Sequence, residues 1–326
     1  MRSKRWLIIL GTVLSIVLLV IVFARLDWQA FLTALTRIQL TELILAAAIV
    51  ALNVALRALR WNLVAHRPLT QFKYFWQAAN IGYLGNMIYP ARAGEVLRIV
   101  AIHHFAQLVV GRALSSAVID RMLDMIVAGL FTLWVLWLHS YRVDPSIGMG
   151  VIVLFAVAST LLIALTLWVD QLHLYAQQWQ LDAKWQKVQQ ALLQALEGIQ
   201  SFRQTNNIKL VIMLTVIVFM LDYFWMWQIM QAFDWALPFE AAITVGVFIL
   251  LGISLPSAPG YIGIYQVACV LALGFYGIEQ AQAVAYSIVL QLLSFMVMGI
   301  QGVLVIIYCG FNFSQESRHA LGEETV

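Results

Sequence analysis

The chain has 326 residues, 63% of them hydrophobic and only 11% charged, with a mean hydropathy of +0.87. Soluble domains carry about 25% charged and about 45–50% apolar residues, so this composition excludes a soluble globular fold and leaves lipid as the solvent for most of the chain. The net charge of +3 is too small to suggest a nucleic-acid partner and gains meaning only when mapped onto loops.

The N-terminus, "MRSKRWLIILGTVLSIVLLVIVFARLD", has the basic start of a signal peptide. Its apolar core is long, however, no small-residue cleavage site follows, and more apolar segments come after it, so it reads as an uncleaved first span. A bilayer core of about 30 Å needs about 20 apolar residues per helix. Spans of that length are predicted at 6–24, 41–60, 112–138, 147–169, 208–232 and 280–309. Residues 74–105 and 239–276 are equally apolar but broken, at "YPARAGE" and "LPSAPGYIGIYQ". Their halves are too short to cross a bilayer, which predicts re-entrant hairpins or discontinuous helices. Between Leu172 and Phe202, Leu181, Trp185, Val188, Leu192, Leu196 and Ile199 recur at spacings of three and four. That single stripe predicts an amphipathic helix at about 172–204 lying on the cytoplasmic leaflet, with Trp179 and Trp185 at headgroup level. The two cysteines, Cys269 and Cys309, lie in apolar runs and indicate packing rather than a disulfide framework. The expected organisation is one transmembrane domain, 1–312, followed by a short cytoplasmic tail, 313–326.

Orientation follows from the basic residues. With the N-terminus in the cytoplasm and both broken regions re-entrant, fourteen of nineteen basic residues fall on the cytoplasmic side, among them Arg57, Arg60 and Arg98. Arg25, Arg37 and Arg142 fall outside, while Arg92 and Arg121 stay at membrane depth. The first broken region then enters from the cytoplasm and the second from the opposite face. Their breaks are alike: "PARAG" and "PSAPG" are both Pro-x3-Gly, preceded by Gly85 and Gly252. Two oppositely inserted broken segments are the pattern of an inverted-repeat transporter, whose site lies where the breaks meet. The fold class is therefore all-α: a polytopic helical membrane protein with two re-entrant, broken-helix segments in an inverted repeat.

A charge in hydrocarbon costs at least about 2.5–3.5 kcal/mol, so intramembrane charges pair or line a polar cavity. Arg92, Glu95 and Arg98 stand at the first break, Asp120, Arg121 and Asp124 on the third span, and Asp222 on the fifth. Pro90 ends one half-helix and Gly94 lets the chain turn. Glu95 then occupies the first turn of the next half-helix, where the dipole favours an anion. An arginine beside such a helix start, with its planar fork of donors, suits a phosphate. Arg92 and Arg98 are thus expected to engage a headgroup phosphate. On the third span Asp120 and Asp124 share a face, and Arg121 reaches Asp124 at three residues' spacing. Arg121 and Asp124 are expected to form the buried pair, and Asp120 to face the cavity. Two carboxylates alone are few for a magnesium–pyrophosphate site, and His103 and His104 read as interfacial residues. No P-loop, nucleophile elbow or cysteine–histidine cluster is present, so neither a catalytic residue nor a metal or other cofactor is expected.

The pattern NxxxPxRxGExxR, filled by Asn86, Pro90, Arg92, Gly94, Glu95 and Arg98, resembles the transmembrane region of lysylphosphatidylglycerol synthases and their stand-alone flippase-like relatives. So does the acidic-Arg-x-x-Asp motif at Asp120, Arg121 and Asp124, although the family more often has Glu at the first position. A late Pro/Gly-rich break ending in Glu is matched by Pro256, Gly260 and Gly263, with Gln266 in the usual Glu position. The resemblance covers nearly the whole chain and implies a bacterial inner-membrane protein associated with lipid translocation, both termini cytoplasmic. The departure at Gln266 withdraws a proton- or cation-coupling role there from what the resemblance implies, and a synthase portion after the last span is not expected. The expected function is translocation of a phosphate-bearing lipid, with a membrane phospholipid or lipid-linked molecule as substrate and a homo-oligomer or membrane enzyme as a further partner. The alternatives are a non-transporting partner of a lipid-modifying or lipid-linked glycosyl transfer enzyme, and an intramembrane enzyme acting on prenyl phosphates.

Overall fold

The computed structural model describes residues 26–36, 38–89, 93–140, 167–179, 183–203, 207–254 and 259–309, with scattered positions at 17–24 and 149–164. The long helices among them fall on the apolar runs of the sequence, and no strand occurs among the described residues. The helices are α1 (Trp28–Thr36), α2 (Leu40–Val64), α3 (Phe72–Ile88), α4 (Gly94–Ala106), α5 (Val110–Leu138), α6 (Val169–Gln178), α7 (Ala183–Arg203), α8 (Ile208–Ala232), α9 (Phe239–Ile253), α10 (Ile264–Gly274) and α11 (Gln280–Cys309). Four of these, α2, α5, α8 and α11, are long and apolar enough to cross a membrane. They match four of the six predicted full spans, and the chain is a polytopic all-α membrane protein. The spans at 6–24 and 147–169 lie largely outside the described residues, as does the tail at 313–326.

Helix ends follow the local chemistry. Asp27 caps α1 by accepting hydrogen bonds from the Gln29 and Ala30 N–H groups, both at 3.0 Å. His66, Asp234 and Gly277 take left-handed backbone conformations just past α2, α8 and α10. The next N–H in each case returns to a carbonyl of the last turn: Arg67 to Asn62, Trp235 to Met230 and Ile278 to Leu273. Carbonyls that would otherwise be orphaned in an apolar medium are thereby satisfied.

The chain forms two compact units. The first comprises Met1–Val54, Asn80–Leu97 and Phe219–Gly310. In it α9 packs along α10, α10 along α11, and α11 against α1. Small residues on α9, Ala241, Ala242 and Gly246, are buried and permit close approach, as helix packing in lipid requires. Tyr286 is fully buried, stacks in tilted fashion on Phe233 and Trp235, and donates its hydroxyl to the Met226 carbonyl at 2.8 Å.

The second unit comprises Ala55–Ala79, Arg98–Val218 and Phe311–Val326. Its core gathers Leu63, Val64, Ile119, Val169, Ala176, Leu196, Ile199, Val211 and Leu214. This corrects the single amphipathic helix expected at 172–204. The stretch is two helices, α6 and α7, because Trp179 adopts an extended backbone and stops α6. The two helices pack on one another, and α7 packs on α5. Leu196 and Ile199 are buried in protein, since the face opposite them is itself apolar. Trp179 and Trp185 are each 51% exposed.

Candidate functional site

In the second unit the third-span carboxylates meet arginines from two other helices. Asp120 and Asp124 stand four apart on α5 and so share a face. Arg57 and Arg60 stand three apart on α2 and do likewise. Arg60, with no exposed surface, donates Nε to Asp120 Oδ1 at 2.9 Å and Nη1 to Asp124 Oδ1 at 2.7 Å. Its Nη2 lies 2.7 Å from Asp120 Oδ1. One guanidinium thus bridges both carboxylates, using the fork geometry that lysine lacks.

The two carboxylates differ in their remaining partners. Asp120 is sealed: its Oδ2 accepts from Arg98 Nη2 at 3.3 Å, and the Arg98 guanidinium lies over the Trp61 ring, 4.4 Å from its centroid. Trp61 is fixed in turn by an indole hydrogen bond to Ser116 Oγ at 3.0 Å and an edge contact with Phe75. Asp124 is more open. Its Oδ2 accepts from Arg121 Nη1 at 3.1 Å and Arg57 Nη1 at 3.5 Å, and these side chains are 38% and 18% exposed. The cluster has a closed side, Asp120–Arg60–Arg98, and an accessible side, Asp124–Arg57–Arg121.

In the first unit the two breaks lie together. Gly94 starts α4 so close to α3 that a Cβ there would run into the Gly82 carbonyl and meet Asn86 N and Oδ1 at 2.6 Å. Asn86 Oδ1 itself is buried and accepts no hydrogen bond from the described residues. At the second break Gly260, Tyr261 and Gly263 all have positive φ, 71°, 59° and 90°. The turn is held by two side-chain amides. Gly263 N–H donates to Gln266 Oε1 at 2.7 Å, Gln266 Nε2 to Gln291 Oε1 at 2.9 Å, and Gln291 Nε2 to the Gly260 carbonyl at 2.6 Å. Backbone groups exposed by the break are thus satisfied inside protein. A methyl group at Gly260 would lie 3.8 Å from the Met87 carbonyl at the end of α3, so the breaks are neighbours.

Over residues 8–302 the chain matches the family described as "Lysylphosphatidylglycerol synthase TM region". It belongs to that family. The family's function is lipid-related, and the chain is a multi-pass membrane protein of it. No curated protein and no solved structure matched the chain.

Within this family member the structure gathers Arg98, Asp120, Arg121 and Asp124 in one place, Asn86 and Gly94 in a second, and Gly260, Gly263 and Gln266 in a third. Glu95 lies half-buried in the first turn of α4, as the dipole favours. Pro90, Arg92 and Pro256 lie outside the described residues. Two expectations change. Arg60, not Arg121, is the buried partner of Asp124, because α2 continues to Val64 and carries its arginines alongside α5 rather than into water. Asp120 does not face a cavity, because Arg60 and Arg98 take both its oxygens. Arg60 and Arg98 are buried and Arg57 is half-buried, each paired with a carboxylate of α5 rather than free in solvent. Sequence reasoning also missed Gln291, Trp61 and the Asn53–Asp222 hydrogen bond of 3.0 Å. A signal existed for Arg57 and Arg60: a spacing of three inside an apolar helix marks one charged face.

Proposed function

We propose that this chain translocates a phosphate-bearing lipid, a phospholipid or polyprenyl-linked lipid, across the bacterial inner membrane, both termini being cytoplasmic. The carrying observation is the arginine–aspartate cluster on the membrane-crossing helices α2 and α5. Among the described residues it joins four guanidiniums to two carboxylates. Arg57 and Arg121 are the partly exposed guanidiniums of that cluster, and a planar fork of donors on a membrane-crossing helix suits an anionic headgroup. The neighbouring breaks supply a second support. Irregular backbone at membrane depth is tolerated where it borders protein or a cavity, and paired broken helices are the moving parts of inverted-repeat transporters. In this reading the breaks act as gates, and the chain makes or breaks no covalent bond.

The test is reconstitution into vesicles containing a panel of labelled lipids. Phosphate-bearing lipids are expected to cross faster than in protein-free vesicles, and their phosphate-free counterparts are not. Equal rates with and without protein for every phosphate-bearing lipid would refute the reading.

A further inference from the structure

We infer that the lipid phosphate binds Arg57 and Arg121 by displacing them from Asp124 Oδ2, and that Arg98 only shapes the site. The inference rests on the translocator reading and assigns the ligand-binding groups within it. Three observations carry it.

First, the exposures divide the four arginines cleanly. Arg60 and Arg98 have buried side chains, exposed by 0% and 7%, whereas Arg57 and Arg121 reach the surface. A ligand can approach only the second pair without dismantling the core of the cluster. Arg98 is further immobilised between the Trp61 ring and Asp120.

Second, Arg57 and Arg121 come from different helices and converge on one oxygen. Asp124 Oδ2 therefore marks a point at which two guanidinium donors meet an oxyanion. The other oxygen of Asp124 is held by Arg60 at 2.7 Å, so the carboxylate stays anchored when Oδ2 loses its partners. The Arg57 contact, at 3.5 Å, is already long for a charge-assisted hydrogen bond. An incoming phosphate offers several oxygens to the same two forks, and no uncompensated charge is stranded during the exchange.

Third, Arg121 lies eleven residues into α5, about 16 Å along the helix. An arginine with more than a third of its side chain exposed on a membrane-crossing helix is stable only against a polar partner. A headgroup phosphate entering from the lipid can take the place of Asp124 Oδ2 as a partner of the right sign and geometry.

The probe is dihexanoyl-phosphatidylglycerol, with dihexanoylglycerol as the phosphate-free control and inorganic phosphate as the chain-free control. Each is titrated against the full chain in maltoside detergent, with ligand-induced thermal stabilisation as the readout. Wild type is expected to bind the phospholipid, the control diglyceride far more weakly, and inorganic phosphate only at much higher concentration. Arg57→Gln/Arg121→Gln is expected to weaken phospholipid binding at least about tenfold, since each lost charge-assisted hydrogen bond is worth roughly a factor of ten or more. Its own melting temperature should stay near that of wild type. Asp124→Asn, which removes the competing charge, is expected to tighten binding. Should that variant not fold, the double arginine variant still decides the matter. Undiminished phospholipid binding by Arg57→Gln/Arg121→Gln would overturn the inference while leaving translocation by wild type intact. Equal binding of inorganic phosphate and phospholipid would assign the site to free phosphate and overturn its lipid part. Wild type that neither binds nor translocates the phospholipid would instead refute the translocator reading itself.

Discussion

Arg60→Gln removes the one guanidinium that joins both carboxylates of α5, and its cost can be ranked against its neighbours. Asp120 would keep only the 3.3 Å contact to Arg98, and Asp124 would keep Arg121 at 3.1 Å and Arg57 at 3.5 Å. Breaking a buried ion pair by removing one partner costs about 3–5 kcal/mol, because a charge is left uncompensated in a poor solvent. Residual partners soften each loss but do not replace the two 2.7 Å contacts, so the loss for Arg60→Gln is expected within that range. Arg98→Gln leaves Asp120 with Arg60 and is expected to cost about 1–3 kcal/mol. Arg121→Gln removes a partly exposed i,i+3 partner and is expected to cost about 0–1 kcal/mol. The assay is thermal unfolding of the detergent-solubilised protein, with Arg60→Gln/Asp120→Asn as the compensating pair. The double variant should regain part of the loss, since it no longer buries an unmatched carboxylate. Equal melting temperatures for Arg60→Gln and Arg121→Gln would refute the division into a closed and an accessible side. A double variant as unstable as the sum of its singles would refute the pairing itself.

Three further expectations concern the breaks. Gln291→Leu strands the Gly260 carbonyl and one donor of Gln266, at about 1–3 kcal/mol for each group. Gln266→Leu/Gln291→Leu should melt above the sum of its single variants, and strict additivity would show that the two amides do not act as a chain. Gly94→Ala places a methyl group against the Gly82 carbonyl, so folded protein recovered by size exclusion should fall sharply. A Gly85→Ala control should be milder but not neutral, because its Cβ would meet the movable Leu97 side chain at 2.6 Å and the Gly94 Cα at 2.9 Å rather than run into a carbonyl oxygen; normal recovery of Gly94→Ala would remove the close approach. Single cysteines near residues 70 and 107 should both label from the cytoplasm, and those near 236 and 278 from outside. Opposite labelling at 70 and 107 would make the first broken region a full span and end the inverted-repeat reading.

What the sequence determined by itself was the class of solvent, the long spans and the two interruptions. These depend on composition and on local chain chemistry: runs of about 20 apolar residues, and Pro and Gly where a helix must stop. The positions of α2, α5, α8 and α11, and the split of α3 from α4 and of α9 from α10, were legible for that reason. The motif residues Arg98, Asp120, Arg121 and Asp124 were legible as charges without a solvent. Which arginine serves which carboxylate was decided only in three dimensions. Arg60 and Asp120 are sixty residues apart, and nothing local to "ALRALRW" says that its arginines turn toward α5 rather than the aqueous phase. The same holds for Gln291, an ordinary polar residue on a long helix until Gly260 and Gln266 are folded against it. Pairing in a low-dielectric interior depends on distance and burial, and neither is a property of a residue's neighbours in the chain.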